Sequence, residues 1–320
     1  MIETPRPALR RSPLPMTRRA GAVVAVATAC VSGVAVFVNG YGVRRFPDAT
    51  TYTTAKNLVA ALLLGALALA ATAARSVDGL TRPRGRAAWL GVAAVALVGG
   101  SVPFVLFFEG LSRATSTDAA FLHKTLVVWV AVLAVPLLRE RLGAAHVVAI
   151  GLLVLGQAVL AGDLGALRPG AGESMVLAAT LLWAIEVVVA KRLLGDVSPL
   201  SLATARMGGG VVVLLAWTAA RGQIGALLGL DRAAWGWALA TGALLFVYVA
   251  TWYTALARAQ AVDVTAVLVF GAVVTAVLER AVNGVVLPDP AGLGLIAVGT
   301  VFVLVAARGR APSPSVAATS

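Results

Sequence analysis

The chain is short of the residues that cross-linking, metal binding and solubility most often rely on. Its one cysteine, Cys30, sits in an apolar stretch, which excludes an intrachain disulfide and leaves the redox compartment open. Two histidines, His123 and His146, are too few for the usual zinc sets, so neither a metal nor another cofactor is expected. Charged residues make up 12% of the chain against ~25% in soluble domains, and apolar residues 60% against ~45–50%. With a mean hydropathy of +0.92, this composition excludes a soluble fold. A phosphate loop is missing too: Gly208-Gly209-Gly210 follows no strand and precedes no Gly-Lys-Ser/Thr, so direct drive by ATP is not expected.

What is present is a series of apolar runs. Helices are expected at about 20–40, 48–74, 87–110, 117–138, 143–162, 173–194, 199–220, 233–256, 262–283 and 288–307. The Pro- and Arg-rich segment 1–19 reads as a disordered cytoplasmic tail, and 308–320 as a second cytoplasmic tail. The net charge of +12 does not point to nucleic acid, because the basic residues lie between apolar runs rather than on one soluble face. They fit orientation instead. With the N-terminus inside, 16 Lys and Arg fall in inner segments and 7 in outer ones, which predicts both termini in the cytoplasm of a multi-pass cell-membrane protein.

The chain also repeats itself. Leu111 to Asp118 matches Leu256 to Asp263 at Leu, Arg, Ala and Asp, and Gly151-Leu152 with Gly156 matches Gly294-Leu295 with Gly299. Pro47 before the second helix mirrors Pro199 before the seventh. Five helices is an odd number, so the second unit enters the membrane from the opposite side. The predicted fold is therefore an all-α polytopic membrane protein of ten transmembrane helices, in two inverted five-helix units at 20–162 and 173–307.

Several residues carry the resemblance to a known family. They are Leu137-Leu138-Arg139-Glu140 closing the fourth helix, Gly151 and Gly156, Leu181-Leu182-Trp183-Ala184 leading to Lys191-Arg192, Pro199 and Arg206. On these the chain resembles the drug/metabolite transporter superfamily, specifically the EamA-type transporters, over about 20–307. The resemblance implies a central cavity lined by helices 1–4 and 6–9, with helices 5 and 10 behind. The chain departs from the pattern at His123-Lys124-Thr125. It departs again near Asn283, where no acidic residue mirrors Glu140 and Glu279-Arg280 sits about a turn earlier.

Lys56, Lys124, Glu186, Arg206 and Glu279 all fall inside apolar runs. Exposed to lipid at ~3 kcal/mol each they would cost on the order of 15 kcal/mol. That rivals the ~5–15 kcal/mol stability of a typical protein, so most must face one another or water. By depth, Lys56, Lys124 and Glu279 form an outer level, and Glu186 with Arg206 an inner one on consecutive helices. Snorkelling to an interface is the competing account for Lys56, Lys124 and Arg206, and a shorter ninth helix for Glu279. Glu140 is expected to pair with Arg139 or Arg141 at the cytoplasmic surface. His123 joins the candidates as Lys124's polar neighbour, and Tyr248 and Trp252, with Tyr253, Trp129 and the repeat-related Phe107-Phe108, as an apolar wall. Asn39 and Gln157 are expected to hydrogen-bond between helices.

These candidates predict a secondary transporter working by alternating access, exporting a small organic solute such as an amino acid, metabolite or drug. No catalytic residue is expected. The alternative is an intramembrane enzyme acting on a lipid-linked substrate, which would need clustered acid, base or metal ligands. Expected partners are the solute, the lipid bilayer and a coupling ion such as a proton, with a homodimer left open and no nucleic acid.

Overall fold

The computed structural model describes residues 18–76, 79–111, 113–114, 116–162 and 170–308. The expectations for 1–17 and 309–320 lie outside the described residues. Arg18 and Arg19, assigned to the tail, instead begin the first helix, Arg18–Gly42.

Among the described residues, ten helices are long and apolar enough to cross a bilayer. Spans 1 to 5 are Ala20–Arg45, Ala49–Ala73, Gly85–Leu111, Asp118–Leu138 and Ala144–Ala161. Spans 6 to 10 are Ala171–Leu193, Pro199–Ala220, Arg232–Arg258, Ala261–Asn283 and Pro290–Ala307. Polar caps set several starts. Asp48 accepts from the Thr51 amide at 2.8 Å before span 2, and Asp231 from the Ala234 amide at 2.7 Å before span 8. Span 7 begins with Ser198 as cap and Pro199, whose missing amide proton costs nothing at a first helical position.

Three spans are broken. Span 3 divides into Gly85–Gly100 and Val102–Leu111 at Ser101, where Pro103 supplies no amide proton to bridge the break. Span 4 divides around Thr125, into Ser116–Lys124 and Leu126–Leu138. Span 9 divides around Val269 and Phe270, into Ala261–Leu268 and Gly271–Asn283. Thr125 and Phe270 are related by the same offset as the matching motifs Leu111 to Asp118 and Leu256 to Asp263.

Packing obeys the repeat. Span 1 lies on spans 8 and 9, and span 6 on spans 3 and 4, which is the same relation advanced by five. Spans 2 and 8 pair as spans 7 and 3 do, while spans 2 and 7, 4 and 9, and 5 and 10 meet their own counterparts. Glycines permit the closest of these. A Cβ at Gly156 would stand 2.8 Å from the Gly292 carbonyl oxygen where spans 5 and 10 cross, and Gly100 and Gly210 bring the backbones of spans 3 and 7 together in the same way. Span 7 stays a continuous helix through Gly208 to Gly210, so that run serves close packing rather than unwinding. Leu62, Leu69, Leu90, Val132 and Val147 point outward, as lipid-facing side chains should.

Candidate functional site

Gly99 on span 3 leaves room for three buried polar side chains. Glu186 of span 6 is 2% exposed, Arg206 of span 7 is 5% exposed, and Tyr253 of span 8 is fully enclosed. A Cβ at Gly99 would sit 3.0 Å from Arg206 Nε and closer still to Glu186 Cγ. The expected meeting of Glu186 and Arg206 is thus found, but it is not a direct ion pair: among the described residues none within 4.0 Å joins them. Tyr253 holds the carboxylate instead, its hydroxyl donating to Glu186 Oε1. Among the described residues, Arg206 Nε and Nη1 meet no acceptor. Span 7 carries Arg206 into the protein interior, so the snorkelling account of this residue is not what the fold does.

An aromatic group adjoins this cluster. Trp183 Nε1 donates to the Gly99 carbonyl at 3.2 Å, and the Trp183 ring lies 5.0 Å from His123 and 5.7 Å from Phe107. Among the described residues His123 Nδ1 has no hydrogen-bond partner. Tyr248 and Trp252 stack at 6.1 Å on span 8, and Tyr248 lies within electrostatic reach of Arg206. Of the expected aromatic wall, Trp129 is turned elsewhere, its indole donating to Thr125 Oγ1 at 3.1 Å.

The outer level does not assemble as one group. Lys124 leaves His123 behind and enters a narrow crevice with Phe121, Thr125, Gln157 and Val269, between spans 4, 5 and 9. Adjacent residues on a helix point ~100° apart, which is enough to send the two to different neighbours. Gln157 offers an amide nitrogen there with no partner among the described residues, so the expected interhelical bond from it is not found among them. Lys56 is 5% exposed and does not snorkel; its ammonium lies 4.8 Å from the Tyr52 ring centre and 5.6 Å from that of Phe108. Asn39 bonds between helices as expected, accepting from the Tyr52 hydroxyl. Glu279 lies at the far end of span 9, where it accepts from Asn283 Nδ2 at 2.6 Å, and Asn283 accepts from Tyr41. The implied central cavity is closed at this site, with the polar side chains packed against one another.

A second buried polar group lies at the connection between spans 8 and 9. Lys191 donates to the Leu256 and Ala259 carbonyls at 2.6 and 2.7 Å, closing the end of span 8. Glu140 accepts from the Ala261 and Val262 amides at 2.6 and 3.1 Å, capping the start of span 9. Glu140 therefore does not pair with Arg139 or Arg141 as expected. The αL turn at Arg139 places its carboxylate inward, where it is 8% exposed. Burial pushes the Glu140 carboxyl above its ordinary pKa, while the two amides and Lys191 pull it back. Nearby, Asp263 Oδ1 is 3.0 Å from His146 Nε2. Among the described residues no three His, Cys, Asp or Glu side chains gather as a metal site.

The EamA-like transporter family model matches residues 19–162 and again 170–305, one match for each half of the bundle. The chain belongs to the EamA-like transporter family. The two matches coincide with the two five-span units, so this EamA-like chain is one membrane body of two repeats within the drug/metabolite transporter superfamily. A solved structure described only as "Crystal structure of protein" aligns at a TM-score of 0.71 over 91% of this chain and 99% of its own, with 18% identity. At that identity the likeness speaks for the fold alone. No curated protein sequence matches the chain.

Proposed function

We propose that this EamA-like protein is a secondary-active transporter that exports a small organic solute through the cell membrane by alternating access. The observation that carries the reading is the enclosed Glu186–Arg206–Tyr253 cluster at the contact of the two repeats, drawn from spans 6, 7 and 8 and closed over by span 3. Charges in a membrane interior are costly and mark solute or ion pathways by default. A two-fold related bundle with its polar site between the halves supports rocking of one half against the other. Lys124 and Lys56 belong to the pathway in this reading, with coupling to an ion gradient such as that of protons. Both termini lie in the cytoplasm.

The test is a metabolite screen by thermal shift on purified protein, since a ligand stabilises by RT ln(1 + [L]/Kd). Counterflow of each hit in proteoliposomes follows. Hits that never exchange across the bilayer would defeat the transport assignment. Lys124→Gln should fold, because it removes a costly charge, yet slow the exchange. Arg at the same position separates a fixed positive charge, which it keeps, from a titrating one, which it cannot supply. Normal exchange by both variants would remove Lys124 from the pathway. A cysteine placed at Ser315 in a Cys30→Ser background should resist an impermeant thiol reagent in intact cells, and ready labelling would reverse the orientation.

A further inference from the structure

Arg206 is held inside the bundle, and among the described residues its Nε and Nη1 donate to nothing. A guanidinium stays charged at any relevant pH, and a buried donor without an acceptor costs ~1–3 kcal/mol. Among the described residues its surroundings offer one anion. Span 6 presents Glu186, span 8 presents Tyr253 and Tyr248, and span 3 presents only the backbone at Gly99 and Gly100. From span 4 His123 faces Trp183 rather than the guanidinium, and on span 2 Lys56 is held over Tyr52 and Phe108. Lys191 and Glu140, with Asp263 of span 9, are occupied at the connection of spans 8 and 9.

We propose that Arg206 docks the carboxylate of the transported solute, and that Glu186 takes up one proton as that carboxylate arrives. This rests on the transporter reading above and names the solute class: a small monocarboxylate. The charge balance gives the reason. Ionised Glu186 and Arg206 together are neutral. A second carboxylate at Arg206 would leave one uncompensated negative charge in a medium where such charge is expensive. Protonating Glu186 restores neutrality: the proton comes from water, the carboxylate becomes a carboxylic acid, and Arg206 is freed to pair with the solute. A phosphate dianion would still be left uncompensated, so a monoanion fits. Tyr253 stays with Glu186 in both states, because its hydroxyl donates to the carboxylate and to the carbonyl oxygen of the acid alike.

The probe is a series of short-chain monocarboxylates, acetate through hexanoate, each beside its uncharged primary amide. Binding to purified wild-type protein is followed by thermal shift from about pH 5 to about pH 8. Acids should stabilise and amides should not, and one proton per ligand makes affinity fall about tenfold per pH unit once Glu186 is ionised. Glu186→Gln should abolish that slope. Arg206→Gln should weaken carboxylate binding at least about tenfold relative to wild type. Should Arg206→Gln not fold, the double variant Glu186→Gln/Arg206→Gln buries no charge and should lose carboxylate binding as well. The proposal is overturned if no acid outperforms its amide, if wild-type binding is indifferent to pH, or if the arginine variants bind acids unchanged. Counterflow reads the transporter assignment separately. Acid binding without exchange would remove transport and keep this site. Exchange of a solute lacking a carboxylate, untouched by Arg206→Gln, would keep transport and remove this site.

Discussion

The connection of spans 8 and 9 and that of spans 3 and 4 descend from the same repeat motif, Leu256 to Asp263 and Leu111 to Asp118, and are held in different ways. At the first, Lys191 of span 6 closes the carbonyls of span 8, and Glu140, just past span 4, caps the amides of span 9, with Glu140 buried and Lys191 half-buried. At the second, Glu109 pairs with Arg113 at 3.0 Å and with Arg221 at 3.5 Å, and both arginines are about half exposed. The reason is local. Span 9 supplies no acid at the position that mirrors Glu140, and Arg44 and Arg45, which end span 1 as Lys191 and Arg192 end span 6, are exposed. A buried carboxylate on two amides is expensive to lose, whereas a pair to half-exposed arginines, which water can replace, is worth less. One two-fold architecture thus has a firm connection at one face of the bundle and a soft one at the other.

Removing the firm cap should have the largest effect. Glu140→Ala strands two enclosed amides and should cost about 2–5 kcal/mol, read by thermal unfolding in detergent. A loss under about 1 kcal/mol would mean water replaces the carboxylate and the two connections are alike. Lys191→Met comes next, at about 2 kcal/mol, because two carbonyls lose a charged donor. Its cost should overlap with that of Glu140→Ala in the double variant, since the two serve one connection.

A pH effect of moderate size follows from the raised Glu140 carboxyl. A group that binds its proton more tightly in the folded state contributes stability that is complete below its unfolded pKa and disappears as pH rises through the folded one. Wild type should therefore lose stability relative to Glu140→Gln as pH rises above about 4, by at most ~1.4 kcal/mol per unit. A difference that is flat or of opposite sign would show that the amides and Lys191 outweigh burial. The smallest effect belongs to the soft connection: Glu109→Ala should cost about 0.2–1 kcal/mol. A loss equal to that of Glu140→Ala would erase the contrast.

Much of the architecture was legible in the chain. Apolar runs are local, and the ten spans follow them closely, whereas the caps Asp48 and Asp231 and the breaks in spans 4 and 9 came only with the structure. The candidate site was legible in part. Depth alone placed Glu186 and Arg206 together, but it grouped Lys124 with Lys56 and Glu279, which the fold sends to three separate places. Depth gives one coordinate of a side chain and says nothing of its azimuth. Tyr253 was counted among wall aromatics and not as the partner of Glu186, because the two are 67 residues apart and nothing near either signals the bond.

By itself, then, the sequence determined the class, the ten spans, their inverted pairing and the fact that several charges had to be satisfied inside. Hydrocarbon imposes those terms on any chain, through the length of apolar runs and the cost of unpaired charge. Only the tertiary structure decided which partner satisfies which charge: Tyr253 for Glu186, the Ala261 and Val262 amides for Glu140, the ends of span 8 for Lys191, and none for Arg206 Nε and Nη1. Those contacts join residues on different helices, and their geometry is set by helix rotation and by close approaches such as Gly99 to Glu186 and Gly100 to Gly210, which no local pattern encodes.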